Sequence, residues 1–276
     1  MKRWILTWNG ISLSEISWVV LLWDTLIANE LKVQDYIASR RNERPLHFTL
    51  LDPGKTSAED LITLATQTAE AGTDGFMVGG STDLSLENVD LAVETIKETT
   101  HMPVILFPTH ASSVSGKADA IFFMSLLNSE SRQFLVGEQI ASAPWVKKTG
   151  LEPLSMAYLV VAPGMTAGRV GQAQPLPRDQ PDLVVSHALA GQYLGMKYIY
   201  LEAGSGASEP VPENIIKAVR ESIDVTLIVG GGIRTPESAR KVVAAGADIV
   251  VTGTFVETSQ SLKEEMTVLT NAIHSK

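Results

Sequence analysis

The chain has 276 residues, 45% apolar and 19% charged, enough material for one well-filled globular domain. Its formal net charge is −9 and no long basic run offsets it, which argues against nucleic acid as a partner but leaves small anionic substrates open, because local amides and a bound cation can overrule a global sign. The absence of cysteine removes disulfides, thiolate nucleophiles and cysteine-held zinc or iron–sulfur sites, and it fits a reducing cytoplasm.

Residues 1–30 differ in character from the rest. Trp4, Trp8, Trp18 and Trp23 fall there, and only Trp145 lies elsewhere. The apolar stretch from Ile16 to Ile27 carries Asp24 and is too short to span a bilayer. Asn9, Ser12, Ser14 and Glu15 interrupt anything resembling a signal-peptide core. Three readings are open: an amphipathic helix on the body, a weak membrane-surface anchor, or sequence upstream of a natural start near Leu31. The expected organisation is an extension over 1–30 and a single catalytic domain over 31–276, opening at Leu31–Tyr36.

From Pro45 onward short apolar runs alternate with amphipathic segments, the pattern of βα units on a parallel sheet. The predicted strands are His47–Leu51, Gly75–Val78, Val104–Phe107, Ala120–Met124, Met156–Val161, Tyr198–Leu201, Thr226–Val229 and Ile249–Val251. Predicted helices are Ala58–Ala71, Leu86–Glu98, Ser131–Lys148, Pro181–Leu194, Pro212–Glu221, Pro236–Ala245 and Ser259–Ile273. One unit is defective: PTHASSVSGKAD, between Phe107 and Ala120, is too short for a helix and two loops. Eight parallel strands predict a (β/α)8 TIM barrel with the third helix missing or reduced to a turn, and a site at the C-terminal strand ends. The long segment Ala162–Gln180, rich in glycine, is expected to be irregular and suits a mobile lid over the site, with a floppy surface loop as the alternative.

Chemistry-bearing residues gather at those strand ends. Gly230-Gly231-Gly232-Ile233-Arg234 follows the seventh strand and Thr252-Gly253-Thr254 closes the eighth. Glycines there let backbone amides turn toward an anion, and barrels often hold phosphate with these loops. Gly204-Ser205-Gly206, after the sixth strand, would complete a three-sided phosphate cradle. Glu202 precedes it, and a bare carboxylate beside phosphate costs energy. It therefore needs another task, such as accepting a hydrogen bond or a proton from a substrate hydroxyl. Across the barrel, Asp52 and Ser81 end the first and second strands. One carboxylate and one hydroxyl suit Mg²⁺, which keeps waters and takes further ligands from substrate phosphates, although an aspartate before Pro53 also serves as a turn cap. His47, His110 and His187 have no zinc spacing, and a satisfied structural role is the expectation for His47. Lys55 and Arg234 are secondary phosphate candidates, and Trp145 is expected in the core or a subunit interface.

LHFTLLDPGK, GFMVGGST, YLEAGSGA, GGGIR and GADIVVTGT, in that order and spacing, resemble the geranylgeranylglyceryl phosphate synthase family from about Leu31 to the C-terminus. The short third unit fits as well, because that family lacks a regular third helix. The resemblance implies a Mg²⁺-dependent prenyltransferase that joins sn-glycerol 1-phosphate to geranylgeranyl diphosphate, the first step committed to archaeal-type ether lipids. It implies metal positions at Asp52 and Ser81. It implies glycerol-phosphate positions at Tyr200, Leu201, Glu202, Ala203, Gly204, Ser205, Gly206, Gly231, Gly232, Gly253 and Thr254, with Glu202 and Tyr200 as the catalytic pair. It also implies a cytoplasmic homo-oligomer with at most peripheral membrane contact. One branch of the family carries Lys two residues before the metal aspartate; here that residue is Leu50, as in the branch using the C20 donor. Rival readings are a phosphate-binding isomerase or lyase barrel and a non-catalytic phosphate-binding scaffold. No Asp-Asp pair occurs in the chain, which argues against chain elongation of the helical prenyl-synthase type.

Overall fold

The computed structural model describes residues 32–80, 84–259 and 261–275. Eight parallel strands run in chain order around a closed barrel. They are β1 Leu46–Leu51, β2 Gly75–Val78, β3 Val104–Leu106, β4 Ala120–Leu126, β5 Glu152–Val160, β6 Tyr198–Glu202, β7 Thr226–Gly230 and β8 Ile249–Thr252. Pairing of Leu46 with Ile249 and of Phe48 with Val251 closes the ring. The strand runs read as continuously apolar because both faces are buried. Phe48, Met77, Ile105, Phe122, Met156, Tyr200 and Ile228 fill the barrel, while Leu51, Val78, Leu106, Leu159, Leu201 and Val229 face the helices.

The helices are α1 Val33–Arg41, α2 Ala58–Glu70, α3 Leu86–Thr100, α4 Glu138–Thr149, α5 Met165–Val170, α6 Pro181–Tyr193, α7 Glu213–Ser222, α8 Pro236–Ala244, α9 Thr254–Thr258 and α10 Leu262–His274. Local chemistry starts several of them. Ser57 and Ser85 accept from the amides of Asp60 and Asn88, and Thr235 and Ser238 cap each other reciprocally. Between β3 and β4 the chain makes only a 3₁₀ turn, Ala111–Ser113, so the third βα unit lacks its helix. A π turn, Gln133–Gly137, leads into α4.

Several segments differ from the sequence expectations. The described residues open with α1, a helix that was not among those predicted. Val33 and Ile37 join the barrel-filling cluster, and Glu152 accepts the amides of Val33 at 2.6 Å and Gln34 at 3.3 Å. β5 starts four residues earlier than Met156 because Glu152–Ser155 pair with Ala120–Phe123. The last helical stretch is two helices, with α9 starting directly off β8. Residues 162–180 form a flap that is not wholly irregular. The flap contains α5, and its ends are tied together by Ala162 N–H to Leu176 O and Leu176 N–H to Val160 O, both 2.9 Å. Those bonds are nonlocal, so no sequence window signals them. Residues 1–31 and Ser81 lie outside the described residues.

At the N-terminal end of the barrel, Asp74, Asp119 and Asp248 each stand one residue before a strand. Each accepts the amide of a neighbouring strand: His47 at 3.0 Å, Val104 at 2.8 Å and Leu227 at 2.8 Å. Each also pairs with basic side chains: Arg44 and the His274 ring nitrogen for Asp74, Lys97 for Asp119, Arg41 and Arg220 for Asp248. His47 is fully buried between Thr73 Oγ1 at 3.0 Å and Thr252 Oγ1 at 2.9 Å, the structural role expected of it. Its desolvation lowers its pKa to about 3, against the pull of Asp74, so it stays neutral. Burial alone would raise the Asp74 pKa, but hydrogen bonds from His274, Arg44 and the His47 amide bring it down to about 2 from 3.8. A depressed carboxylate pKa stabilises the fold above the unfolded value, and that contribution is lost as pH falls through the folded one. Asp74→Asn is therefore expected to cost about 2 kcal/mol at neutral pH. In urea denaturation the gap from wild type should narrow between pH 4 and pH 2, the interval set by those two values.

Candidate active site

The C-terminal strand ends enclose two cavities that meet. The first, with about 420 Å³ of empty space, is walled by Tyr200, Ser205, Gly206, Gly231, Gly232, Arg234, Gly253 and Thr254 among others. The second, about 820 Å³, is a groove running past Gly80, Phe107, Thr109, Met124, Phe134, Gln139 and Val170. Leu50, Glu202 and Ser205 line both. Glycines and hydroxyls gather in the first, which also has apolar walls at Leu50, Ile233, Val251 and Phe255, whereas apolar side chains dominate the second.

Glu202 is the last residue of β6 and is 7% exposed. Its Oε1 accepts the Gly204 amide at 2.6 Å, and the hydroxyls of Tyr200 and Tyr158 also donate to its carboxylate. Burial raises the Glu202 pKa above the ordinary carboxylate value, and those three donors pull it back only in part. The two tyrosines are pushed well above 10 by burial and by the charge of Glu202, so both remain donors. β5 and β6 pair in a register that sets Tyr158 beside Tyr200 and Val160 beside Glu202. The Phe107 ring stacks on Tyr200 at 5.6 Å and meets Tyr158 edge-on at 5.4 Å. An aromatic wall therefore stands next to a carboxylate with raised proton affinity.

The glycines divide their work differently from the expectation that all of them serve the anion. A Cβ on Gly230 would reach within 2.1 Å of the Tyr200 hydroxyl, and one on Gly231 within 2.3 Å of Glu202 Oε1. These two glycines make room for side chains. The Gly204 amide is committed to Glu202. Gly206 and Gly232, with φ of +84° and +72°, line the first cavity together with Gly253 and Thr254. Ser205 Oγ and Thr254 Oγ1 lie 3.1 Å apart, joining the β6 and β8 loops. Arg234 also lines this cavity and donates to Gly206 O at 3.0 Å. Leu201 and Ala203, both among the expected binding residues, turn into the helix-facing core and line neither cavity.

Asp52 follows β1 and is 6% exposed. Its Oδ1 accepts the Gly54 amide at 3.0 Å, and Lys55 Nζ lies 3.6 Å from Oδ2. Gly80 packs against the carboxylate so closely that a Cβ there would fall 2.4 Å from its atoms. Gly80 also lines the groove, so the carboxylate backs onto the groove wall. Among the described residues no group of three or more His, Cys, Asp or Glu side chains gathers for a metal. A single carboxylate beside an open groove suits a divalent ion that draws its other ligands from substrate and water.

Residues missed by sequence reasoning are Tyr158, Phe107, Phe134 and Gln139. Tyr158 had one usable signal, since YLV in β5 parallels YLE in β6. The groove residues had none, because α4 and β3 meet only in three dimensions. His110 proves structural: its Nδ1 is 3.1 Å from Glu138 Oε1, tying the third unit to α4. His187 caps back onto Leu183 O within α6, and Trp145 donates to Val114 O at 2.9 Å while staying 40% exposed.

A family model described as the PcrB family matches residues 38–272. Geranylgeranylglyceryl phosphate synthase of Pyrococcus horikoshii is 53% identical over 233 residues, spanning 84% of this chain and 92% of that protein. The crystal structure of (S)-3-O-geranylgeranylglyceryl phosphate synthase from Thermoplasma acidophilum, in complex with sn-glycerol-1-phosphate, is 44% identical with a TM-score of 0.86; the match covers 88% of this chain and 99% of that one. Tryptophan synthase of Mycobacterium tuberculosis, at 13% identity and a TM-score of 0.59 over 88% of this chain and 98% of its own, shares the fold alone.

Gly231→Ala should displace the Glu202 carboxylate, because the new methyl takes its space and the backbone there has a φ of +80°. A shift of about 1 Å in a reacting group costs about 100-fold in rate. Turnover of the variant should fall by at least about that factor, while its circular dichroism spectrum stays that of wild type.

Proposed function

The chain belongs to the PcrB family, and we propose that it is a prenyltransferase joining sn-glycerol 1-phosphate to geranylgeranyl diphosphate through an ether bond. The observation that carries this reading is the position of Glu202, a buried carboxylate at the junction of a glycine-walled polar cavity and a long apolar groove. The first cavity's glycines, hydroxyl and guanidinium suit a glycerol phosphate, with Gly206, Gly231, Gly232, Gly253, Thr254 and Arg234 around the anion. The groove suits a prenyl tail, and its opening past Phe107, Pro108 and Thr109 follows from the absent third helix.

In this mechanism the two cavities hold the reactants so that the glycerol hydroxyl faces the allylic carbon, and much of the acceleration comes from that placement. Glu202 accepts the hydroxyl proton as the carbon–oxygen bond forms and the bond to diphosphate breaks. Its raised proton affinity suits a general base. Tyr158 and Tyr200 fix the orientation of the carboxylate, and their faces, with Phe107, line the place where positive charge develops on the allylic group. Asp52 would hold Mg²⁺, with Ser81 as the second candidate. When bound, that ion supplies neutralisation of the diphosphate leaving group. Leu50, at the cavity junction, leaves an apolar side chain where the other family branch has Lys, which supports the C20 donor.

We also infer a homo-oligomer at work in the cytoplasm, touching the membrane at most peripherally. Val136 and Ile140 are 41% and 58% exposed on the α4 segment beside the groove, which supports an apolar contact surface there. Among the described residues no helix is long and apolar enough to cross a membrane.

Glu202→Gln is expected to keep binding of both substrates and to lower kcat by about 10²–10⁴-fold, the usual worth of a positioned base. In wild type, kcat/KM should decline as pH falls through a pKa above the ordinary carboxylate range, because protonated Glu202 cannot take a proton. Tyr158→Phe removes a hydrogen bond that lowers this pKa, so the acid limb should move upward in pH. An Asp52→Asn protein should lose the Mg²⁺-dependent part of diphosphate binding. Titration of inorganic diphosphate with and without Mg²⁺ measures it, and equal binding under both conditions in wild type would remove Asp52 from the metal role.

A further inference from the structure

Arg178, near the end of the flap, lines neither the groove nor the glycine-walled cavity. Its guanidinium nevertheless bridges two segments that pack against those walls. Nη1 donates to Ala162 O at 3.2 Å, at the root of the flap after β5. Nη2 donates to Pro210 O at 3.0 Å, in the loop after β6, and pairs with Glu209 Oε2 at 3.3 Å. Each end of this bridge rests on a close-packed contact. On the flap side, the Gly164 amide bonds to Ala203 O at 3.1 Å, and a Cβ on Gly204 would lie 2.6 Å from the Gly164 carbonyl. Farther along the same flap, Ala167, Val170 and Gly171 form groove wall. On the other side, Glu209 and Pro210 press on Gly232, where a Cβ would lie 2.3 Å from Glu209 O and 2.7 Å from Pro210 N. Gly232 is part of the cavity wall.

Building on the function proposed above, we propose that Arg178 is a positioning residue that couples the two substrate subsites, so that filling either one tightens binding in the other. The physical route is short. An anion that settles against Gly232 fixes the Glu209–Pro210 segment. The guanidinium fork transmits that fixation to Ala162, and the flap carries it to the groove wall at Ala167 and Val170. Closely packed segments have little room to deform continuously, so holding one end restricts the other. A planar fork with several donors is suited to bridging two carbonyls on different loops. A lysine ammonium on a flexible stem is not, and should fail in this position despite keeping the charge.

The experiment titrates sn-glycerol 1-phosphate into the full chain by calorimetry. It is done with and without saturating geranylgeranyl thiolodiphosphate, an unreactive donor analogue, in the presence of Mg²⁺. Wild type should bind glycerol 1-phosphate about fivefold tighter or more with the analogue present. Arg178→Gln and Arg178→Lys should each bind both ligands singly yet show no tightening, and KM for both substrates should rise more than kcat falls. Glu209→Ala, which removes only the exposed ion pair and leaves the fork on its carbonyls, should keep the coupling. A role confined to stability would lower the melting temperature and leave the coupling ratio intact, and that result overturns the proposal. If Arg178→Gln does not fold, Arg178→Lys reads the same ratio. A wild type that binds both ligands without coupling overturns this inference alone, whereas one that binds neither overturns the functional reading as well.

Discussion

A carboxylate buried where a parallel sheet opens into loops sets the terms for everything around it. Taking Glu202 out of water costs several kcal/mol unless hydrogen bonds compensate. The compensation comes from three directions: the Gly204 amide just ahead in the chain, the Tyr200 hydroxyl from the same strand, and the Tyr158 hydroxyl from the next one. Each donor constrains further residues. Tyr200 stands upright in the barrel only because Gly230 has no side chain, and Glu202 reaches its position only because Gly231 has none. Residue types on β5, β6 and β7 thus follow from one acidic group. The outcome is a carboxylate of raised proton affinity that is held still, a combination that water around an exposed glutamate would not allow.

Stability is concentrated at the opposite end of the barrel. Asp74, Asp119 and Asp248 each bind a strand amide and one or two basic side chains, and His47 sits neutral between two threonines. α1 closes that end with Val33 and Ile37. With the strand starts clamped, the loops at the strand ends are free to be rich in glycine and to follow substrate geometry. Barrel enzymes separate the two tasks in this way because the βα loops contribute little to holding the sheet together.

The eight strands are legible in the sequence because each is a short apolar run buried on both faces, and the ring order follows from the regular alternation of elements. Asp52 and Glu202 are legible for a related reason: a carboxylate directly after such a run, followed by turn formers, has few structural tasks. Tyr158 was passed over because its hydroxyl acquires meaning only through the β5–β6 register, a property of two segments at once. The glycines were legible as a group but not as individuals. Composition cannot distinguish a glycine that exposes an amide from one that makes space for a neighbour's side chain, as Gly230 and Gly231 do. The flap 162–180 reads as irregular because ties that hold it run to Asn128 and Ala203, both remote from α5 in the chain.

In a complete barrel a helix between β3 and β4 would cover the flank now lined by Phe107, Pro108 and Thr109. Here a three-residue turn leaves that flank open, and the gap is braced rather than filled. Glu138 takes the Ala111 amide at 2.6 Å and contacts His110, while Trp145 reaches across to Val114 O. Gln133 adds a third hydrogen bond to the same carboxylate, through the π turn that shifts the start of α4. Polar ties of this kind hold two walls apart without occupying the space between them. Side chains packed in a continuous helix would have filled it with methyl groups. The groove therefore runs from Glu202 out through the side of the barrel instead of ending in its core. An apolar chain lying in that groove can then pass between β3 and α4, so the lost helix makes the room that such a chain needs.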